Sequence, residues 1–125
     1  MVIPYDLVED NALIYTLPVV ATPATATEVH QWVPTFNGEI VGGWASEGTL
    51  PASGTSTVVV EIGTTDAITW TFTSGDTAGK TKAGTLSTTH TECIFDTDDV
   101  LNLDVTRSSG TEERLLNVSL LIKGR

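Results

Sequence analysis

Several residue types that build disulfides, metal sites and nucleic-acid surfaces are scarce in this chain. Cys93 is the only cysteine among 125 residues, which excludes an intramolecular disulfide, and His30 and His90 are too few for a three-histidine zinc site. Only 6 lysine and arginine residues stand against 16 aspartate and glutamate residues, and the formal net charge of -10 opposes binding to nucleic acid and to anionic membranes. We therefore expect no nucleic-acid partner, no membrane partner and no cofactor.

The beginning of the chain shows no secretory signal. Residues 1–5 contain neither a cationic start nor a continuous apolar core, and the acidic residues Asp6, Glu9 and Asp10 follow at once. Cys93 lies in an apolar stretch that is typical of a small buried side chain rather than of a reactive thiol. We therefore expect synthesis in a reducing compartment.

Alternation of apolar and polar residues with a period of two dominates the sequence. Ile68, Trp70 and Phe72 alternate with threonines, which places large apolar groups on one face of a strand and hydroxyls on the other. The same alternation recurs from 58 to 62, from 101 to 105 and from 116 to 122. The pattern predicts an all-β protein.

Turn signals separate these predicted strands. Asn37 and Gly38 are the preferred residues of a type I′ turn and predict a hairpin between residues 27–36 and 39–46. Stretches rich in glycine, serine, threonine and aspartate predict loops at 48–54, 63–66 and 108–113. We therefore predict an antiparallel, jelly-roll-like β-sandwich of about eight strands with an extended N-terminal arm.

The N-terminal residues differ from the rest because prolines interrupt an apolar stretch. We predict a single domain, 1–125, with an arm or first strand at 1–26 and a β-sandwich body at 27–125. The first part either reaches over a neighbouring subunit or forms a first strand and a short linker. The second face of the last strand is also partly apolar, which indicates a covered surface. The candidate interface residues are Ile3, Tyr5, Leu7, Leu13, Tyr15, Leu115 and Leu121.

Two loops contain residues that are often found in ligand sites. The stretch 75–81 is similar to a phosphate-binding loop, but three residues rather than four separate its glycines and no helix follows, so we interpret it as an inter-strand loop. Asp96, Asp98 and Asp99 form the densest carboxylate cluster, but their spacing matches no EF-hand and we interpret them as a solvated turn. No nucleophile motif is present and nothing singles out a carboxylate pair, so we predict no catalytic and no metal-binding residue.

The three tryptophans could form a platform on which a sugar ring stacks. Trp70 lies in the alternating strand described above, and Trp44 is in phase with Ile40, so we predict both in the core. Trp32 instead shares its predicted strand face with Glu28. Trp32 is therefore the candidate ligand contact.

The order of strands and turns from residue 27 to 125 is similar to that of small β-sandwich modules in tailed-phage virion proteins. These modules include capsid decoration, or cement, proteins and tail-fibre domains. They commonly place a Gly-Asp pair before the strand that corresponds to Leu101, and Asp98 stands here in place of the glycine. The resemblance is carried by Trp32, Val33, Pro34, Phe36, Gly38, Glu39, Ile40, Val41, Trp44, Ala45, Gly48, Thr49, Pro51, Asp99, Val100, Lys123, Gly124 and Arg125.

This resemblance implies a bacteriophage structural protein, made in the host cytoplasm and located in the virion. The expected function is capsid decoration, through contacts with the major capsid protein or another virion protein and between copies of a homo-oligomer, with a trimer favoured. The alternative is a receptor- or glycan-binding tail-fibre or head-fibre module that uses Trp32. A hydrolase that works with carboxylates is a remote alternative, and we expect no enzymatic activity.

Overall fold

The computed structural model describes residues 12–17, 20–22, 26–108 and 114–125 of the chain. These residues form eleven strands and one short 3-10 helix, His90–Cys93. No helix in the described ranges is long and apolar enough to span a membrane. The strands are β1 (Ala12–Thr16), β2 (Val20–Thr22), β3 (Ala26–Trp32), β4 (Gly38–Glu47), β5 (Thr55–Ile62), β6 (Thr65–Thr73), β7 (Lys82–Ala83), β8 (Thr85–Leu86), β9 (Ile94–Phe95), β10 (Leu101–Arg107) and β11 (Arg114–Gly124).

The strands form two antiparallel sheets that pack against each other. Sheet A has the order β1-β11-β4-β7, with β2 also paired to β11 and β9 also paired to β4. Sheet B has the order β3-β10-β5-β6-β8. The predicted all-β sandwich is therefore confirmed.

The strand order is that of a jelly roll. β1 and β2 lie end to end along β11, because Thr16 is opposite Ser119 and Val20 is opposite Leu116. β7 and β9 both lie along β4, while β8, which comes between them in the chain, pairs with β6. If β1 and β2 are counted as one strand, β7 and β9 as one, and β8 is left out, the sheets have the orders 1-8-3-6 and 2-7-4-5. The described residues contain eleven strands, more than the predicted number of about eight, because two of these positions are interrupted and β8 is added to sheet B.

The core lies between the sheets and consists of the inward residues of the alternating segments. Burial of an aliphatic or aromatic side chain of this size stabilises a fold by about 1.5–3 kcal/mol. The alternation predicted in all four segments is confirmed, because each contributes buried side chains. These are Val58, Val60 and Ile62; Ile68, Trp70 and Phe72; Leu101, Leu103 and Val105; and Leu116, Val118, Leu120 and Ile122.

The predicted hairpin at Asn37 and Gly38 is wrong. β3 pairs with β10 in sheet B, whereas β4 pairs with β11 in sheet A, so the connection between them crosses from one sheet to the other. Gly38 does not have the positive φ that a type I′ turn requires. A Cβ at this position would lie 2.8 Å from the Phe95 ring and 2.9 Å from the Lys123 carbonyl oxygen. The glycine is therefore needed for close packing rather than for a turn.

Part of the segment predicted as an arm or first strand belongs to sheet A. β1 and β2 both pair with β11. The side chain of Leu17 is buried in the core, and its backbone N–H donates to the Val118 carbonyl at 2.9 Å. Residues 12–17 and 20–22 therefore lie against the body, which corresponds to the first-strand alternative. Residues 1–11 lie outside the described ranges.

A β-bulge in β4 turns Trp44 away from the core. Gly42 is opposite Leu121 and Ile40 is opposite Ile122, so Val41 is an extra residue without a partner position on β11. The extra residue reverses the alternation between Ile40 and Trp44. The prediction that Trp44 lies in the core is therefore wrong, and its side chain is 40% exposed.

Candidate interaction surfaces

The outer face of sheet A carries four apolar side chains that we call the apolar face: Ile14, Trp44, Leu115 and Leu121. Ile14 is directly opposite Leu121 across β1 and β11, and Trp44 is opposite the next outward residue of β11, Ser119. Ile14 is 54% exposed and Leu115 is 56% exposed, and Leu121 is partly exposed. The register therefore brings together residues from three strands that are far apart in the sequence.

Glu39, Lys123 and Arg125 place charged groups at one end of sheet A. The Glu39 carboxylate lies 3.4 Å from His90 Nε2 and 3.8 Å from a guanidinium nitrogen of Arg125. Glu39 is also directly opposite Lys123 across β4 and β11. Between this end and Leu115, the outward positions of β11 are Asn117, Ser119 and Leu121. The middle of the face is therefore uncharged, which suits contact with another protein surface.

An apolar groove lies where the edges of the two sheets meet. It has a volume of about 200 Å³, and its rings come from both sheets and from the crossing segment between β3 and β4. Tyr15 stacks on Trp32 with ring centroids 5.9 Å apart, and Phe36 meets the Phe95 ring edge-on at 5.7 Å. Drug-sized ligands usually occupy pockets of roughly 300–1,000 Å³, so this groove is small for such a ligand.

Trp32, the candidate ligand contact, lies in this groove and is partly buried. Its indole ring stacks with His30 at 5.2 Å as well as with Tyr15. Two protein rings therefore already use the surface with which a sugar would stack. The ligand-binding role of Trp32 stays a prediction.

The candidate interface residues fall into three groups. Leu13 and Tyr15 lie on the inward side of β1, where Leu13 is 40% exposed and Tyr15 is partly buried at the groove. Leu115 and Leu121 lie on the apolar face, as described above. The remaining three candidates, Ile3, Tyr5 and Leu7, lie outside the described residues.

The outer face of sheet B carries a carboxyl cluster that the sequence did not reveal: Glu61, Asp66 and Asp104. Glu61 is opposite Asp66 across β5 and β6, and its side chain shares a hydrogen bond with Asp104 of β10. This hydrogen bond, partial burial and the nearby negative charges raise the pKa of Glu61 to about 7. The three residues belong to three strands, so only the strand register could have predicted the cluster.

In both of the loops considered above, an aspartate side chain accepts a hydrogen bond from a nearby backbone N–H. In the aspartate turn, Asp99 accepts the Asp96 backbone N–H at 2.8 Å and Asp96 accepts the Asp98 N–H at 2.9 Å, so both carboxylates bind their own turn. Among the described residues, no group of three or more histidine, cysteine, aspartate or glutamate side chains is placed to hold a metal ion.

The glycine- and lysine-containing loop connects β6 to β7 as a tight turn. Asp76 accepts the Thr73 backbone N–H at 2.8 Å and forms an ion pair with Lys82 at 3.2 Å. These contacts lower the pKa of Asp76, with the backbone hydrogen bond as the larger cause. Gly79 has φ of 77°, a conformation that glycine adopts without strain. The Gly79 N–H donates to the Glu47 carbonyl of β4 at 2.8 Å, so contacts within the loop and with β4 hold it in place.

Two buried polar features are structural rather than reactive. Glu47 is 1% exposed and accepts a hydrogen bond from the Ser56 hydroxyl at 2.6 Å, and Arg107, opposite Ser56 on β10, is also buried. Cys93 is buried as expected, and burial raises the pKa of its thiol. A thiol with a raised pKa is a poor nucleophile at neutral pH.

Comparisons with protein-family models and with curated proteins gave no match. Three surfaces therefore remain as the basis for a functional proposal. They are the apolar face of sheet A, the groove at the sheet edges and the carboxyl cluster of sheet B. The first exposes apolar side chains, the second holds stacked rings, and the third concentrates negative charge.

Proposed function

We propose that this domain is a structural protein of a virion, a capsid decoration or cement subunit that acts through protein–protein contacts. The observation that carries the proposal is the exposed apolar face, on which Ile14, Trp44 and Leu115 each expose between 40% and 56% of their surface. The outer face of an antiparallel sheet is normally polar when it meets solvent. An apolar outer face indicates a surface that becomes covered.

The composition of the apolar face supports a protein partner. Tryptophan is enriched among the residues that dominate binding energy at protein interfaces, and Trp44 lies near the centre of this face, on β4. The resemblance to phage decoration and tail-fibre modules supplies the kind of partner, namely the major capsid protein or another virion protein. The net charge of -10 favours such a partner over nucleic acid.

A co-sedimentation experiment with purified phage capsids tests the proposal. The wild-type protein is expected to sediment with capsids until their binding sites are saturated. Trp44→Glu and Leu115→Glu each place a charge on the apolar face, and each is expected to weaken binding by roughly tenfold or more, because an unpaired charge must be desolvated. Both positions are exposed, so circular dichroism is expected to show unchanged folding.

Thr71→Glu is the matched control. Thr71 is exposed on the outer face of sheet B, so the same charge is added to the same sandwich on the opposite side. This variant is expected to bind capsids as the wild type does. Absence of saturable capsid binding by the wild type, or equal binding by all the variants, would contradict the proposal.

A further inference from the structure

Within the described residues, β1 is an edge strand of sheet A. One side of β1 pairs with β11, and the described residues contain no strand on its other side. The Leu17 N–H donates to Val118 on β11, and backbone groups alternate in direction along a strand. The N–H and C=O groups of Ile14 and Thr16 therefore point away from β11, towards the open side.

Residues 12–17 themselves lack the protection that natural sheet edges usually carry. Charged side chains and prolines normally prevent an edge strand from pairing with another chain, but residues 12–17 contain neither. Leu13 and Ile14 are 40% and 54% exposed on opposite faces of the strand. At the opposite edge of sheet A, by contrast, the short strand β7 carries Lys82.

We propose that β1 pairs with β1 of a second copy of this chain, antiparallel and across a two-fold axis at Ile14. In this register, Ile14 exchanges two backbone hydrogen bonds with the partner's Ile14, and Thr16 donates to the partner's Ala12. Leu13 then lies opposite the partner's Tyr15 on the groove side. Sheet A continues from one copy into the next, and the exposed apolar groups of β1 are covered.

The charge distribution allows a second copy to approach at this edge. Each chain has a net charge of -10, so two copies can approach closely only through uncharged surface. Residues 12–17 and the groove residues 32–36 contain no charged residue. A basic partner would instead be attracted to the carboxyl cluster around Glu61 on the other sheet. This contact shares Ile14 with the apolar face but does not use Trp44 or Leu115, and it does not depend on the proposed virion function.

Analytical ultracentrifugation of the full chain over a wide concentration range tests the pairing. The wild type is expected to show a reversible monomer–dimer equilibrium. Thr16→Pro removes an outward N–H on each copy but no bond between β1 and β11, because edge strands tolerate proline there. The loss of two hydrogen bonds is expected to raise the dissociation constant by roughly tenfold or more. Thr16→Val, which keeps the N–H, is the matched control and is expected to dimerise as the wild type does.

A second pair of variants separates this edge from the apolar face. Leu13→Lys places a charge inside the proposed contact and is expected to abolish dimerisation, whereas Leu115→Lys, at an equally apolar exposed position distant from β1, is expected to dimerise normally. Trp44→Glu is expected to lose capsid binding but remain dimeric, so the two proposals can fail separately. A wild-type monomer at every concentration, a trimer, or an unchanged dimer in Thr16→Pro would overturn the two-fold pairing.

Discussion

The two sheets of this sandwich have similar inward faces and contrasting outward faces. Both bury apolar side chains between them, as the alternation of the sequence predicts. Outward, sheet A exposes Ile14, Trp44 and Leu115, whereas sheet B exposes the carboxyl cluster around Glu61 together with threonine hydroxyls along β5 and β6. Sheet B therefore has the polar outer face that is usual for a solvated sheet, whereas the outer face of sheet A is partly apolar.

The difference depends on register as much as on composition. Without the bulge at Val41, Trp44 would point inward with Ile40, and the apolar face would lose its largest side chain. The carboxyl cluster likewise exists because the pairing of β5 with β6 sets Glu61 opposite Asp66. A single extra residue in a strand is therefore enough to change which surface of the protein can bind a partner.

The largest expected effect is the difference in stability between a substitution of the buried Trp70 and one of the exposed Trp44. Trp70 is 2% exposed, and Trp70→Ala is expected to lower the free energy of unfolding by about 3–5 kcal/mol, because it leaves a large cavity. Trp44→Ala removes a side chain that is 40% exposed and is expected to cost about 1 kcal/mol or less. Urea denaturation of both variants measures the difference.

Quenching by acrylamide checks the same contrast without unfolding. The fluorescence of Trp44 is expected to be quenched readily, and that of Trp70 is expected to be protected. In Trp44→Phe, the readily quenched fraction of the fluorescence is therefore expected to decrease. Equal destabilisation by the two alanine substitutions would mean that Trp44 is in the core, and the apolar face would lose its central residue.

Two adjacent glycines, Gly42 and Gly43, follow the bulge at Val41, and substitutions of them test its position. A Cβ on Gly43 would lie 2.9 Å from the Ser119 carbonyl oxygen and 3.0 Å from the Trp70 ring, so Gly43→Ala is expected to cost about 1–3 kcal/mol. A Cβ on Gly42 would meet only Leu121, at 3.8 Å. Gly42→Ala is therefore expected to be neutral or to stabilise by up to about 1 kcal/mol. Thermal denaturation of the pair measures the difference, and the reverse order would place the bulge elsewhere.

The sequence predicted those parts of the fold that depend on local alternation. The strands around Val60, Trp70, Leu103 and Leu120 could be recognised because each keeps a strict period of two and buries one face. The sandwich class follows from that repeated pattern, and the exposed Leu115 and the partly exposed Leu121 could be identified from the second face of the last strand.

The sequence could not predict features that depend on pairing between distant strands. The bulge at Val41 appears only when β4 is aligned with β11, so Trp44 was assigned to the core. Asn37 and Gly38 have the composition of a hairpin turn, but the strands beside them pair with different partners. The carboxyl cluster likewise requires three strands to be aligned. Local patterns therefore predict the core better than they predict the surfaces that could bind.

The carboxyl cluster on the outer face of sheet B is expected to make the stability of the protein depend on pH. The pKa of Glu61 is raised to about 7 in the folded protein, above its ordinary value of 4.5, so the folded state binds the extra proton. This contribution to stability is fully present below pH 4.5 and is lost as the pH rises through 7. Glu61→Gln is therefore expected to stabilise the protein at pH 8, by about 1 kcal/mol after solvent screening, and to have little effect at pH 4.

Thermal denaturation of wild type and Glu61→Gln across this pH range measures the effect. Asp66→Asn removes one of the neighbouring negative charges and is expected to give a smaller stabilisation at pH 8. Thr71→Val, on the same outer face but without a charge, is the control for a change of polarity alone. A wild-type midpoint that does not fall relative to Glu61→Gln as the pH rises would mean that the cluster does not share a proton.

The smallest effect is expected at Asp76, whose pKa is shifted in the opposite direction to that of Glu61. The Thr73 backbone N–H and Lys82 lower the pKa of Asp76, so its contribution to stability is present above its ordinary value of 3.8 and is lost as the pH falls below it. Asp76→Asn is expected to lower the melting temperature slightly at pH 7, and the difference from wild type is expected to shrink at pH 3. Lys82 neutralises Asp76, whereas no cation is among the causes that shift the pKa of Glu61. The two carboxylates are therefore expected to change the stability of the protein with pH in opposite directions. The same direction of change in the two variants would refute this assignment.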